Sequence, residues 1–153
     1  MSDLPDIEVT IYDDQALAVD QDRIAGVARR TAMSEEAAGE LSIMLVTEEK
    51  SAELNDKFMG EEGPTDVLAF PIDGKVEGPK PDSPVVIGEL VVCPAYIAES
   101  YEAGSEAFVS ELDLVVAHGV LHLLGHDHDT EENTSVMREA EKKITGRSGA
   151  TAP

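Results

Sequence analysis

The ten residues from Val115 to Leu124 read Val-Val-Ala-His-Gly-Val-Leu-His-Leu-Leu, apolar on nearly every side. A helix of that composition belongs in the middle of a fold, not on its surface. His118 and His122 stand four residues apart in it, so both imidazoles project from one face. Two buried imidazoles each need a polar partner, which makes a purely structural role for the pair costly. Gly125 can adopt the left-handed conformation that ends a helix. The chain then turns back through His126, Asp127 and His128, so that all four histidines fall within eleven residues. His128 can deliver a third ligand to the pair. Three neutral imidazoles with a fourth position open to water form a catalytic zinc arrangement, and an all-nitrogen donor set favours zinc over magnesium. One zinc ion per chain is expected.

The spacing H-x3-H-x2-G-x2-H is shared with the metzincin proteases, whose motif is H-E-x-x-H-x-x-G-x-x-H. Those enzymes place a glutamate directly after the first histidine, as the base that takes a proton from water at the metal. The corresponding residue here is Gly119, which has no side chain. A zinc peptidase is therefore the second reading, and it would need its base from elsewhere.

The rest of the chain supplies a frame for this helix. Ile7, Val9 and Ile11 alternate with polar residues as a half-buried strand does. Asp20 can cap a helix that carries Ile24, Val27, Ala28 and Thr31 inward. Leu41–Val46 reads as a second strand, and a short helix from about Glu48 to Phe58 presents Leu54 and Phe58 four apart. A brief strand Val67–Phe70 follows. Residues 73–84, with three prolines and two glycines, read as a loop. Val85–Cys93 is a near-continuous apolar run, expected to be a strand buried on both faces. Pro94 opens a short helix to about Ser100, and the central helix runs from about Ser105 to Leu124. A last helix begins with a capping-box-like Asp129-x-x-Glu132 and turns Val136, Met137, Ala140 and Ile144 inward. The order βαβαββααα predicts an α+β single domain over residues 1–146. In it a small mixed β-sheet is packed by helices around the central buried one, and residues 147–153 form a disordered tail.

Composition narrows the partners. Thirty-two acidic residues against eleven basic ones give a net charge of −21, which repels nucleic acid and anionic membranes at long range. Two readings of this acidity stand open: a solvated, solubilising surface, or adaptation to a high-salt cytoplasm. No run of 18 apolar residues is present, so no transmembrane helix is expected. Residues 1–6 lack an apolar stretch, so no secretory signal is expected either. The lone Cys93 rules out an internal disulfide and reads as a small buried hydrophobe. A cytoplasmic protein is expected.

HGVLHLLGHDH, residues 118–128, resembles the signature of the YbeY family of bacterial rRNA maturation factors, small zinc-dependent endoribonucleases. Leu54-Asn55 and Gly63-Pro64-Thr65-Asp66-Val67-Leu68-Ala69-Phe70-Pro71 resemble that family's LN…PTDVLSFP stretch, and Gly88–Cys93 is similar to its GDI-V-I-C strand. The resemblance implies cleavage of single-stranded RNA in 16S rRNA 3′-end maturation and ribosome quality control. The implied partner is 16S rRNA within the small ribosomal subunit, with ribosomal proteins nearby and no membrane. Carried over by position, the implied zinc ligands are His118, His122 and His128. His126 stands where the family often has tyrosine and reads as a residue behind the ligands or facing the substrate. The chain departs from the pattern with Met59 in place of a frequent arginine, Glu89 in place of aspartate and Ala69 in place of serine.

Other residues stay open. Thr65 and Asp66 either form a turn into their strand or line the mouth of the metal cleft. Asp127 either orients a ligand imidazole or shapes the turn after the helix. Asp127 and Glu89 are the two carboxylates available as general base or acid. Beside the ribonuclease reading stand the zinc peptidase and a non-catalytic ribosome assembly factor.

Overall fold

The computed structural model describes residues 7–76 and 83–147. Residues 1–6, the middle of the 73–84 loop and the tail beyond 147 lie outside the described residues. The elements follow the expected order: β1 (Ile7–Asp13), α1 (Gln21–Ser34), β2 (Gly39–Leu45), α2 (Glu48–Met59), β3 (Val67–Pro71), β4 (Val86–Val92), α3 (Pro94–Ile97), α4 (Glu106–Leu123) and α5 (Glu131–Thr145). The four strands make one mixed sheet in the order β1-β2-β4-β3. β1, β2 and β4 run parallel, and β3 closes one edge antiparallel to β4. The fold is α+β.

α4 covers one face of this sheet together with α1. Leu114, Val115, Val116, Val120 and Leu121 are fully buried on it, and each such side chain contributes roughly 1.5–3 kcal/mol by leaving water. Val115, Val116 and Val120 belong to one core with Ile24 and Val27 of α1 and with Leu41, Ile43, Leu90 and Val92 of the sheet. Ser105 starts α4 by accepting from the backbone N–H of Phe108, and Asp20 starts α1 by accepting from that of Arg23. The opposite sheet face carries a smaller cluster of Val46, Leu68, Val91 and Cys93. No helix among the described residues is long and apolar enough to cross a membrane.

Three expectations need correction. On α2 the buried residues are Ser51 and Asn55, while Phe58 is 54% exposed. That face of α2 holds the loop leading to β3: the Ser51 hydroxyl bonds both the N–H and the carbonyl of Thr65, and Asn55 Nδ2 donates to the Gly63 carbonyl. β4 is buried on both faces as expected, with Leu90 and Val92 on one and Val91 and Cys93 on the other, and Glu89 alone faces solvent. α3 is a single turn ending at Ile97. On α5 the cap is Thr130, which accepts from the Asn133 N–H, and Asp129 instead bonds the Asn133 side chain. Val136 points outward, and the buried stripe of α5 is Met137 with Glu141.

Candidate metal centre

α4 ends where the histidines begin to converge. Leu124 caps it and Gly125 takes a φ of 99°. The Gly125 N–H donates to the His122 carbonyl and the His126 N–H to that of Leu121, the paired bonds of a Schellman turn. This reversal carries His128 back over the helix end. The Asp127 carboxylate tightens it by accepting from the His128 N–H at 2.8 Å, so Asp127 has the turn-forming role.

His118, His122 and His128 come together with their ligand atoms within 4.8 Å of one another. The His118 and His122 Nε2 atoms lie 3.1 Å apart. Ligands held 2.0–2.1 Å from a tetrahedral zinc ion stand roughly 3.3 Å from each other, so this donor set fits the ion with small side-chain adjustments. His118 is buried, His122 half-buried and His128 exposed, which leaves the third imidazole on the solvent side. Burial, followed by the neighbouring His118 and His128, lowers the His122 pKa. The imidazole is thereby kept neutral, with its lone pair available to a metal.

Behind His118 stands Glu141 of α5, its Oε2 2.5 Å from His118 Nδ1. The carboxylate fixes the ring so that Nε2 faces the cluster, the arrangement that orients metal-binding imidazoles. A sequence signal for it existed: Met137, Glu141 and Ile144 share one helical stripe, and an acid inside an apolar stripe is out of place there. His126 lies outside the three-histidine cluster. Its Nε2 meets Glu35 Oε1, from the residue that caps α1, at 2.5 Å. Ninety-one residues separate the two, and nothing local announces the pair.

His118 and His122 of the cluster line a cleft of about 540 Å³. Its walls come from the end of α2 with Asn55 and Met59, from Thr65, Ala69 and Pro71 along the edge strand β3, and from His126 and Asp127. The acidic residues of this lining are Glu61 and Asp127, and it includes no lysine or arginine among the described residues. Met59 occupies the wall with an exposed thioether. Asp66 is buried beside the cleft, where its carboxylate accepts from the Thr65 hydroxyl at 3.3 Å. Desolvation raises its pKa, outweighing the pull of the Val67 N–H, the Thr65 hydroxyl and nearby His118. Glu89 sits elsewhere: its neighbour Leu90 faces α4, so strand alternation turns Glu89 to the opposite sheet face, in register with Phe70. Cys93 is buried, and burial pushes its thiol pKa up.

Gly119 has a packing role. A Cβ there would stand 2.8 Å from Leu90 Cδ2 and 3.0 Å from Val67 Cγ2. The helix approaches the sheet so closely at this point that the glutamate of a metzincin would have to displace the buried Leu90 and the Val67 side chain.

The family model described as Endoribonuclease YbeY matches residues 7–149. Similar proteins named Endoribonuclease YbeY include one from Salinispora tropica, 39% identical, covering 86% of this chain and 89% of its own. One from Acidothermus cellulolyticus is 36% identical, covering 92% and 97%. The solution structure of TM1509 from Thermotoga maritima matches with a TM-score of 0.53 at 28% identity, over 91% of this chain and 86% of that one.

Proposed function

The chain belongs to the YbeY endoribonuclease family, and from that premise we propose that it is a zinc-dependent endoribonuclease of single-stranded RNA. Its place would be in the cytoplasm, in 16S rRNA 3′-end maturation and ribosome quality control, with residues 1–146 as one hydrolase unit. The observation that carries this reading is the convergence of three imidazoles, one of them braced by a buried carboxylate and two of them lining a cleft.

His118, His122 and His128 would hold the ion. Bound there, zinc supplies Lewis acidity toward a phosphoryl oxygen and acidifies water near neutral pH. The chain's own groups do the rest. Glu141 keeps His118 in one orientation, so that the ligand set loses little freedom on binding. Thr65 and His126 offer hydrogen bonds to a substrate lying in the cleft, and Asp66 orients the Thr65 hydroxyl. Of the two carboxylates that the sequence offers as general base, Asp127 borders the cleft and Glu89 does not, so the proton of the attacking water is assigned to Asp127. With no lysine or arginine in the described lining, affinity for the RNA backbone is supplied by docking on the small subunit, whose basic ribosomal proteins complement a chain of net charge −21.

The test is cleavage by zinc-loaded protein of single-stranded RNA, duplex RNA and casein, with His122→Ala as control. RNA cleavage that is zinc-dependent and lost in the variant is expected. Casein cleavage without RNA cleavage establishes the peptidase instead. Binding to 30S particles that survives His122→Ala, with no hydrolysis of either polymer, establishes the assembly factor.

A further inference from the structure

Beside the cleft, on the last turn of α2, stands an aromatic surface that the proposed hydrolysis does not use. Phe58 is 54% exposed, although its ring packs edge-on against Phe70 of β3, with centroids 5.3 Å apart and planes at 72°. The Lys57 ammonium lies 5.3 Å from the Phe58 centroid, within cation–π range. Phe70 braces the Phe58 ring edge-on, yet more than half of Phe58 stays exposed beside the ammonium, leaving aromatic surface for a flat partner.

Three features of this spot point to an occupant. It lies across the edge strand from the cleft: Met59, next along α2, lines the cleft, as do Ala69 and Pro71 on one face of β3, while Phe70 between them turns to the other face, so a chain leaving the cleft over this edge meets the ring. It carries one of only eleven basic residues in the chain, next to a lining that holds none among the described residues. On the far side, Glu89 stands in register with Phe70 and faces solvent, so a phosphate is repelled there and attracted on the Lys57 side. A flat apolar face with a cation on one flank and an anion on the other fits a nucleotide whose base stacks and whose phosphate lies toward the cation.

We propose that Phe58, braced by Phe70 and flanked by Lys57, is a stacking subsite for one unpaired base of the RNA chain where it leaves the cleft over the edge strand β3. This rests on the ribonuclease reading and deepens it. A base inside a duplex has no free face to offer, so the subsite selects single strands by stacking and not by sequence.

The experiment uses the full chain and a short single-stranded RNA carrying 2-aminopurine, with binding read by fluorescence and cleavage by kcat and KM. Phe58→Leu keeps an apolar contact with Phe70 but has no flat face, and it is expected to raise Kd and KM about ten-fold with kcat held within roughly two-fold. Phe58→Trp restores both constants. Lys57→Gln makes the salt dependence of binding shallower by about 0.7 in log–log slope, the share of one phosphate on a single strand. Unfolding temperatures of the variants report any loss of packing, and the tryptophan and glutamine variants carry the test if Phe58→Leu unfolds. A protein that cleaves RNA equally well with and without the Phe58 ring overturns the subsite alone. One that neither binds nor cleaves RNA overturns the ribonuclease reading with it.

Discussion

His118 Nδ1 lies 2.5 Å from Glu141 Oε2, a contact between two residues that are 5% and 1% exposed and 23 positions apart. Groups placed in this way behind metal-binding imidazoles set ring orientation and basicity, and their loss costs about 10–100-fold in metal affinity. Glu141→Gln preserves shape and removes the charge. It is expected to weaken zinc binding within that range while the protein stays folded, as read by competition with a chelator. Unchanged affinity would show that Glu141 serves only to fill its place in the core.

His126 and His128 are two residues apart and face different partners, Glu35 and the ligand cluster respectively. Metal analysis of alanine variants separates them. His118→Ala, His122→Ala and His128→Ala are expected to lose tight zinc binding, and His126→Ala to retain about one ion per chain. A loaded His128→Ala beside an empty His126→Ala would reverse the ligand assignment.

Gly119→Glu tests why this site is not a metzincin. Its Cβ would press on Leu90 and Val67, and a carboxylate forced in there would be largely desolvated. Overpacking together with the buried charge should cost about 3 kcal/mol or more, far beyond the roughly 1 kcal/mol gained by replacing a helical glycine. Urea unfolding measures the loss, and no casein cleavage should appear. A stable variant with peptidase activity would contradict the packing argument.

The buried Asp66 makes stability depend on pH in a definite direction. Desolvation raises its pKa in the native state, so the native protein binds the proton more tightly than the unfolded chain does. Its contribution is fully present below the unfolded pKa and is lost as pH rises through the native one. In metal-free protein, Asp66→Asn should therefore gain on the parent between acid and neutral pH, as followed by urea unfolding at several pH values. A difference that stays flat, or shrinks toward neutrality, would contradict the sign.

Free RNA should be held weakly. The described lining of the cleft has no lysine or arginine, and each phosphate contributes about −0.7 to the salt slope on a single strand. Three phosphates or fewer give a log–log slope shallower than about −2, with tighter binding expected for the same segment inside a 30S particle. A steep slope on free RNA would reveal a basic surface that the docking argument leaves out.

Features set within one helix or turn were legible in the sequence, because the 3.6-residue period and the cap residues act locally. The pairing of His118 with His122, the Gly125 turn that returns His128, the Asp20 cap and the order of elements are of this kind. Tertiary packing decided the rest. Phe58 and Val136 fit the apolar period of their helices yet face solvent, because α2 uses Ser51 and Asn55 to hold the loop before β3 and α5 turns Met137 and Glu141 inward. Gly119 reads in sequence as a missing base, and only the approach of α4 to β3 and β4 shows that a side chain there would press on Leu90 and Val67. Glu141 reaches His118, and Glu35 reaches His126, across 23 and 91 residues. No local period encodes such a contact: it exists only once segments far apart in the chain have been packed together, α1 beside α4 and α5 over both.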